Sequence, residues 1–123
     1  MTVAGRLISF LLISLLLIAC ATTSNHSPLL YAEPEIDGYL TRAPRTLRLY
    51  YSAFPDVSRS SLRLFGPDGE HQLRGLHTMA ADDLMIEIMD PVSVGAYTVE
   101  WVTVVRDDPA VHTGSYSFSV IEN

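Results

Sequence analysis

From residue 26 onward the chain alternates apolar and polar positions with a period of two, and no segment sustains a helical period. Residues 46–52 set Leu47, Leu49 and Tyr51 to one side and Arg48 and Tyr50 to the other. Residues 61–65 repeat the pattern with Leu62 and Leu64 against Arg63. In residues 84–88 the apolar face is Leu84, Ile86 and Ile88, while Met85, Glu87 and Met89 take the opposite side. Tyr97, Val99 and Trp101 then alternate with Thr98, Glu100 and Val102. Successive side chains of a strand point to opposite faces, so each run predicts a strand with one buried face. Gly66-Pro67-Asp68-Gly69 predicts a tight turn into a strand over 70–76. A first strand over 27–33 is stopped by Pro34 and the Ile36-Asp37-Gly38 turn, Pro91 to Gly95 turns the chain again, and 115–120 closes the domain. Seven short strands at this spacing predict an all-β, antiparallel sandwich, with the Trp101 ring filling the gap between the sheets.

The first residues follow a different rule. Arg6 gives a positive start, and Leu7 to Ile18 is apolar apart from its serines, which is short for a membrane span and fits a secretion signal. The run ends Leu17-Ile18-Ala19-Cys20, which resembles a bacterial lipoprotein box. The expected organisation is a lipoprotein-type signal peptide over 1–19, a lipidated tether over 20–25 and one sandwich domain over 26–123. Cys20 is the single cysteine, and lipid attachment explains why it has no partner. Several acyl chains on one residue anchor stably where one does not, so the membrane is an expected partner. Ala21 after the lipidated cysteine resembles the outer-membrane sorting class, which places the domain on the periplasmic side of the envelope.

Charge narrows the partners. Without Arg6 the chain carries seven arginines, no lysine and fourteen acidic residues, a balance of −7. Nucleic-acid affinity rests on basic contacts to phosphate, so this composition argues against nucleic acid and against an anionic lipid surface. With no second cysteine, the domain depends on packing alone, and an antibody-type disulfide is excluded.

From His26 to the end the chain resembles the CopC-type periplasmic copper-binding proteins. The residues that carry the resemblance are His26, Pro34, Asp37-Gly38, Ala43-Pro44, the strand at 46–51 and the hairpin at 62–69. The strongest are Gly95-Ala96-Tyr97-Thr98-Val99-Glu100-Trp101 and Gly114-Ser115-Tyr116-Ser117-Phe118. The resemblance implies a seven-stranded immunoglobulin-like sandwich, a copper ion as ligand, a role in copper resistance or homeostasis, and a copper-transporting membrane protein as partner. It also implies a Cu(II) site made of an N-terminal histidine, using imidazole and free amine, and an Asp-Gly-His motif in the last loop. Nitrogen and oxygen donors in a square arrangement suit Cu(II).

This chain departs from that pattern at both places. His26 stands where the N-terminal histidine belongs, but with Cys20 as the processing point six residues precede it and the terminal amine is acylated. The last loop reads Arg106-Asp107-Asp108-Pro109-Ala110-Val111-His112, with no Asp-Gly-His and one residue more than the usual pattern. Counting from Trp101 aligns Asp107 with the family carboxylate; counting back from Gly114 aligns Asp108. The expected Cu(II) ligands are therefore His26, Asp107 or Asp108, and His112, in a degenerate site. Each has a plainer reading, as a tether residue, solvated turn formers and a surface histidine. A softer Cu(I) site is the reading for His77, Met79, Met85 and Met89, because thioether sulfur prefers Cu(I); methionines also fill gaps in packing. No nucleophile elbow, phosphate loop or free thiol is present, so no enzyme activity is expected. The rival reading is a metal-free structural or protein-interaction module of the envelope, and a third is an oxygen-ligand calcium site at Asp107 and Asp108.

Overall fold

The structure is a computed structural model, described here for residues 28–123. Its elements are β1 (Leu29–Glu33), β2 (Gly38–Leu40), β3 (Thr46–Tyr51), one 3-10 turn at Val57–Arg59, β4 (Ser61–Gly66), β5 (Gly69–His71), β6 (Leu73–His77), β7 (Asp83–Ile88), β8 (Gly95–Val105) and β9 (Asp108–Val120). They form a four-stranded sheet in the order β1-β3-β7-β6 and a five-stranded sheet in the order β2-β9-β8-β4-β5. The all-β sandwich expected from the alternation is what the chain builds.

The inward phase of β3, β4, β7 and β8 is the expected one. Leu47, Leu49 and Tyr51, then Leu84, Ile86 and Ile88, face Leu62, Leu64, Tyr97, Val99 and Trp101 across the core, all buried. Tyr97 stacks on Phe118 with centroids 5.4 Å apart, and Tyr51 meets Trp101 edge-on at 5.9 Å. Aromatic pairs of this geometry add about 1 kcal/mol each beyond area burial. Gly114 stands opposite Trp101 on β9. A Cβ there would lie 2.5 Å from the indole, so only glycine admits the ring.

Two features differ from the expectation. Among the described residues there are nine strands rather than seven, and one pair is parallel: β2 runs alongside β9 from Gly38↔Phe118 to Leu40↔Val120. The sequence signal there is a turn, with Asp37 at φ 58° and its amide bonded to the Ser117 carbonyl. Three residues are too few to show a period, so pairing with a neighbour makes this strand. The run at 70–76 is also two strands in different sheets. β5 pairs with β4 and β6 with β7, and Gln72 between them gives its N–H to Asp90 Oδ2 at 2.8 Å. A period of two is blind to which sheet a residue joins.

One carboxylate inside the fold was not foreseen. Asp83 is fully buried at the start of β7. Its Oδ1 accepts from the Thr78 hydroxyl and from the amides of Met79 and Ala80, and its Oδ2 accepts from Arg48 Nε at 2.8 Å. Burial alone would raise its pKa; the Ala80 amide, the Thr78 hydroxyl, Arg48 and the Met79 amide outweigh it and hold the value at about 2. Asp83 thereby ties the loop at 78–82 to β3.

Candidate metal centre

β8 and β9 are the longest strands, and their pairing runs from Gly95↔Val120 to Val105↔Asp108. The segment expected as a loop from Arg106 to His112 is therefore mostly strand. Arg106 and Asp107 make the turn, β9 starts at Asp108, and His112 sits in the ladder opposite Thr103. The register shifts between Val104 and Val105, so Pro109 and Ala110 form a bulge. Proline has no amide to give the ladder, and a bulge is where such a residue is tolerated. The bulge absorbs the additional length of this segment.

Residues directly opposite in an antiparallel pair share a face. Thr103 is buried, and Trp101↔Gly114 is on the same phase, so His112 points to the core side at the end of the sandwich. Its side chain is 25 % exposed, with Nε2 3.9 Å from Asp108 Oδ2. The other oxygen of Asp108 accepts the Ala110 amide at 3.0 Å, which fixes the carboxylate and leaves Oδ2 toward the imidazole. The structure thus brings Asp108 and His112 together, and leaves Asp107 exposed in the turn.

The same end of the sandwich receives the start of the described chain. The Ser52 amide bonds the Pro28 carbonyl, the Arg106 amide bonds the Phe54 carbonyl, the Asp56 amide bonds the Val104 carbonyl, and Pro55 bridges Val105. The segment 52–56 therefore connects Pro28 to the tip of the β8–β9 hairpin. His26, Cys20 and the signal segment lie outside the described residues. Among the described residues no group of three or more His, Cys, Asp or Glu could hold a metal ion, so this end offers two donors of its own.

The softer set is divided. His77 on β6 is paired with Met85 on β7, and His77 Nδ1 is bonded to the Gly75 carbonyl. Met79 lies in the following loop, 63 % exposed. Met89 is four residues along from Met85, about 13 Å at strand rise. Met85 borders a groove of about 310 Å³ with Glu33, Pro34, Arg45 and Arg48. The geometry joins His77 and Met85 and separates Met89 from them.

Sequence reasoning missed three hydroxyls and a second pair. The Tyr116 hydroxyl and Trp101 Nε1 are buried with no hydrogen-bond partner, and the buried Tyr51 and Thr103 hydroxyls approach each other without good hydrogen-bond geometry. Burial pushes the Tyr51 phenol up to about 12, opposed by the nearby Thr103 hydroxyl. Burial raises Tyr116 further, with Tyr51 as its electrostatic neighbour. The signal was available for Thr103, since the phase of Tyr97, Val99 and Trp101 carries one step further to a polar residue in the core. At the opposite end of β8, His71 Nδ1 also lies 3.9 Å from a carboxylate, Asp90. There the oxygen is already bonded to the Gln72 amide, and the ring packs against Tyr97 with centroids 5.6 Å apart.

Among known proteins, residues 29–121 match the model of the CopC domain. The chain is 28 % identical over 102 residues to Protein YobA of Escherichia coli strain K12, covering 77 % of this chain and 78 % of that protein. Its fold is similar to that of PcoC, a copper resistance protein from Escherichia coli, with TM-score 0.69 and 24 % identity over 75 % of this chain and 97 % of that one. CopC from Methylosinus trichosporium OB3b gives TM-score 0.70 and 22 % identity, over 80 % and 96 %.

Proposed function

The chain belongs to the CopC domain family, and from that premise we propose that it binds copper as cargo on the periplasmic face of the envelope, in copper resistance or homeostasis. The observation that carries the reading is the Asp108–His112 pair at 3.9 Å, at the end where the chain enters the sandwich. An oxygen and an imidazole nitrogen suit Cu(II), and His26, two residues before Pro28, supplies the second imidazole. Donors about 2.0 Å from one ion stand about 3 Å apart, so ring and carboxylate close by about 1 Å on binding. Both are partly exposed and have room to do so.

The remaining parts follow the sequence. Residues 1–19 are removed as a signal, Cys20 carries lipid, 20–25 is the tether and 26–123 the domain, anchored in the outer membrane. A copper-transporting membrane protein is the partner that a cargo carrier of this kind requires. The Cu(II) site lacks the terminal amine, so it binds more weakly than one with a free histidine terminus.

The test uses residues 21–123 with an acetylated N-terminus, which removes an amine that the lipidated protein would not have. Cu(II) is added, and affinity and EPR spectrum are recorded. A protein-specific spectrum lost in His26→Ala and in His112→Ala supports the reading. Binding no tighter than to an unrelated acidic peptide sinks it. That result would favour a metal-free interaction module, for which the exposed Leu30, Tyr31 and Ile36 around one groove provide an apolar surface.

A further inference from the structure

The outer face of β1 and β3 carries a column of flat groups. Arg48 lies with Cζ 4.7 Å from the centre of the Tyr50 ring, and Tyr31 stacks on Tyr50 with centroids 4.2 Å and planes 14° apart. Two groups at these distances do not fit on one face of a ring, so Tyr50 is enclosed between Arg48 and Tyr31. Asp83 fixes the Arg48 end at 2.8 Å, and Glu33 accepts the Tyr50 hydroxyl at 2.9 Å. Tyr31 ends the column. Tyr50 covers one of its faces, yet the residue is 55 % exposed, so its other face is open to solvent.

The backbone explains that exposure. β1 is an edge strand, and its register with β3 shifts between Leu29 and Tyr31, which makes Leu30 the additional residue of a bulge. Regular alternation would turn one of two successive side chains inward; the bulge leaves both Leu30 and Tyr31 outside. They border a groove of about 620 Å³ together with Glu33, Glu35, Ile36 and Tyr50, and no basic residue lines it. The Gly38 amide holds the Glu35 carbonyl at 2.9 Å, while the Glu35 carboxylate has no partner among the described residues. The nearby positive charge, Arg48, is on the far side of Tyr50 and is met by Asp83.

The groove thus offers one open aromatic face, two carboxylates and aliphatic walls, and this charge pattern selects a cation. A guanidinium is flat and weakly hydrated, stacks on aromatic faces and pairs its N–H groups with a carboxylate. A quaternary ammonium is held best in a cage of several ring faces, and only the Tyr31 face is open here. A lysine ammonium is a compact, strongly hydrated charge that gains less from a single ring. We propose that this groove docks an arginine side chain of a partner protein, with the guanidinium on the open face of Tyr31 beside Glu35 and the neighbouring apolar side chains on Leu30 and Ile36. None of these groups is a candidate copper ligand, so the proposal stands apart from the copper reading. The acidic balance of the chain draws cationic partners toward it.

The experiment titrates metal-free residues 21–123, which hold the whole sandwich, with a capped peptide of one arginine flanked by leucines. Citrulline and lysine versions of the peptide are run beside it; citrulline keeps the plane of the guanidinium and removes its charge. The arginine peptide is expected to move the NMR signals of Leu30, Tyr31 and Ile36, and the other two to bind about fivefold more weakly. Tyr31→Ala is expected to weaken the arginine peptide about fivefold, and Tyr31→Phe, which keeps the face, to bind like the parent. Glu35→Gln, in an exposed turn where folding is not at stake, is expected to weaken it about threefold and to flatten its salt dependence. Equal affinity for the arginine and citrulline peptides, or shifts centred outside the groove, overturns the proposal. So does movement of the groove signals on concentrating the protein alone together with a dimer in sedimentation, which would assign the groove to a second copy. Copper binding is measured separately, and its absence would sink the copper reading without altering these outcomes.

Discussion

Asp83 and Asp108 are both aspartates at the first position of a strand, and they are put to opposite uses. Asp83 is buried, with one oxygen held by three donors and the other by Arg48. Asp108 is 54 % exposed, spends one oxygen on the Ala110 amide and turns the other toward His112. A buried carboxylate whose two oxygens are both bonded within the protein can stabilise the fold but has little to give a ligand. One with a fixed position and a free oxygen contributes little to stability and is available for coordination. The difference lies in the partners each residue meets, which come from distant parts of the chain.

The comparison breaks most visibly at Asp83. Asp83→Ala leaves Arg48 without its partner and three loop donors unbonded, and removing one side of a buried ion pair costs about 3–5 kcal/mol. Arg48 is 27 % exposed and recovers some hydration, so about 3 kcal/mol is expected, measured by urea unfolding of residues 21–123. A loss below about 1 kcal/mol would put Asp83 among ordinary surface acids. Acid gives the same contrast without mutation. A folded pKa held at about 2, below the ordinary 3.8, makes a contribution that is present above pH 4 and lost as pH falls toward 2. The shift corresponds to about 2 kcal/mol. Stability should decline over that window in the parent chain, and more shallowly in Asp83→Asn, which has no such carboxylate to protonate.

At Asp108 the expected effects reverse. Asp108→Ala removes one exposed hydrogen bond and one coordinating oxygen. Unfolding stability is expected to change by less than about 1 kcal/mol, while Cu(II) affinity of the acetylated chain falls about tenfold, or about 1.4 kcal/mol. Asp107→Ala is the internal control and should leave both unchanged, because its carboxylate stands apart in the turn. Equal losses of copper affinity in the two variants would erase the distinction between the neighbours.

The sequence could not settle which of these two aspartates faces the histidine, since counting from Trp101 and from Gly114 gave different answers. The ambiguity is the bulge at Pro109 and Ala110, a backbone feature that residue counting treats as a shift of alignment. The inward face of β3, β4, β7 and β8 was legible, because alternation is a local property and Leu47, Leu84 and Val99 obey it without reference to neighbours. The strand β2 and the division of 70–76 between sheets were not, because both depend on pairing partners far away in the chain. Asp83 was illegible for the same reason: nothing beside it in sequence announces Arg48, 35 residues earlier. Thr103 was legible in phase and overlooked as chemistry.

Thr103 also supplies the smallest and most discriminating measurement. Its hydroxyl is buried, and the two ways of being buried have opposite signs. A dry, unbonded hydroxyl is a cost, so Thr103→Val would stabilise the chain by about 1 kcal/mol. A hydroxyl that shares a hydrogen bond with the Tyr51 phenol is a small gain, so the same change would destabilise by about 1 kcal/mol and leave that phenol alone. The second sign is expected. Coupling sharpens it: if Thr103 and Tyr51 share one hydrogen bond, Thr103→Val combined with Tyr51→Phe should cost less than the sum of the two single changes, since the first has already loosened what the second removes. Strict additivity together with a stabilising Thr103→Val would mean that the two hydroxyls stand unbonded in the core.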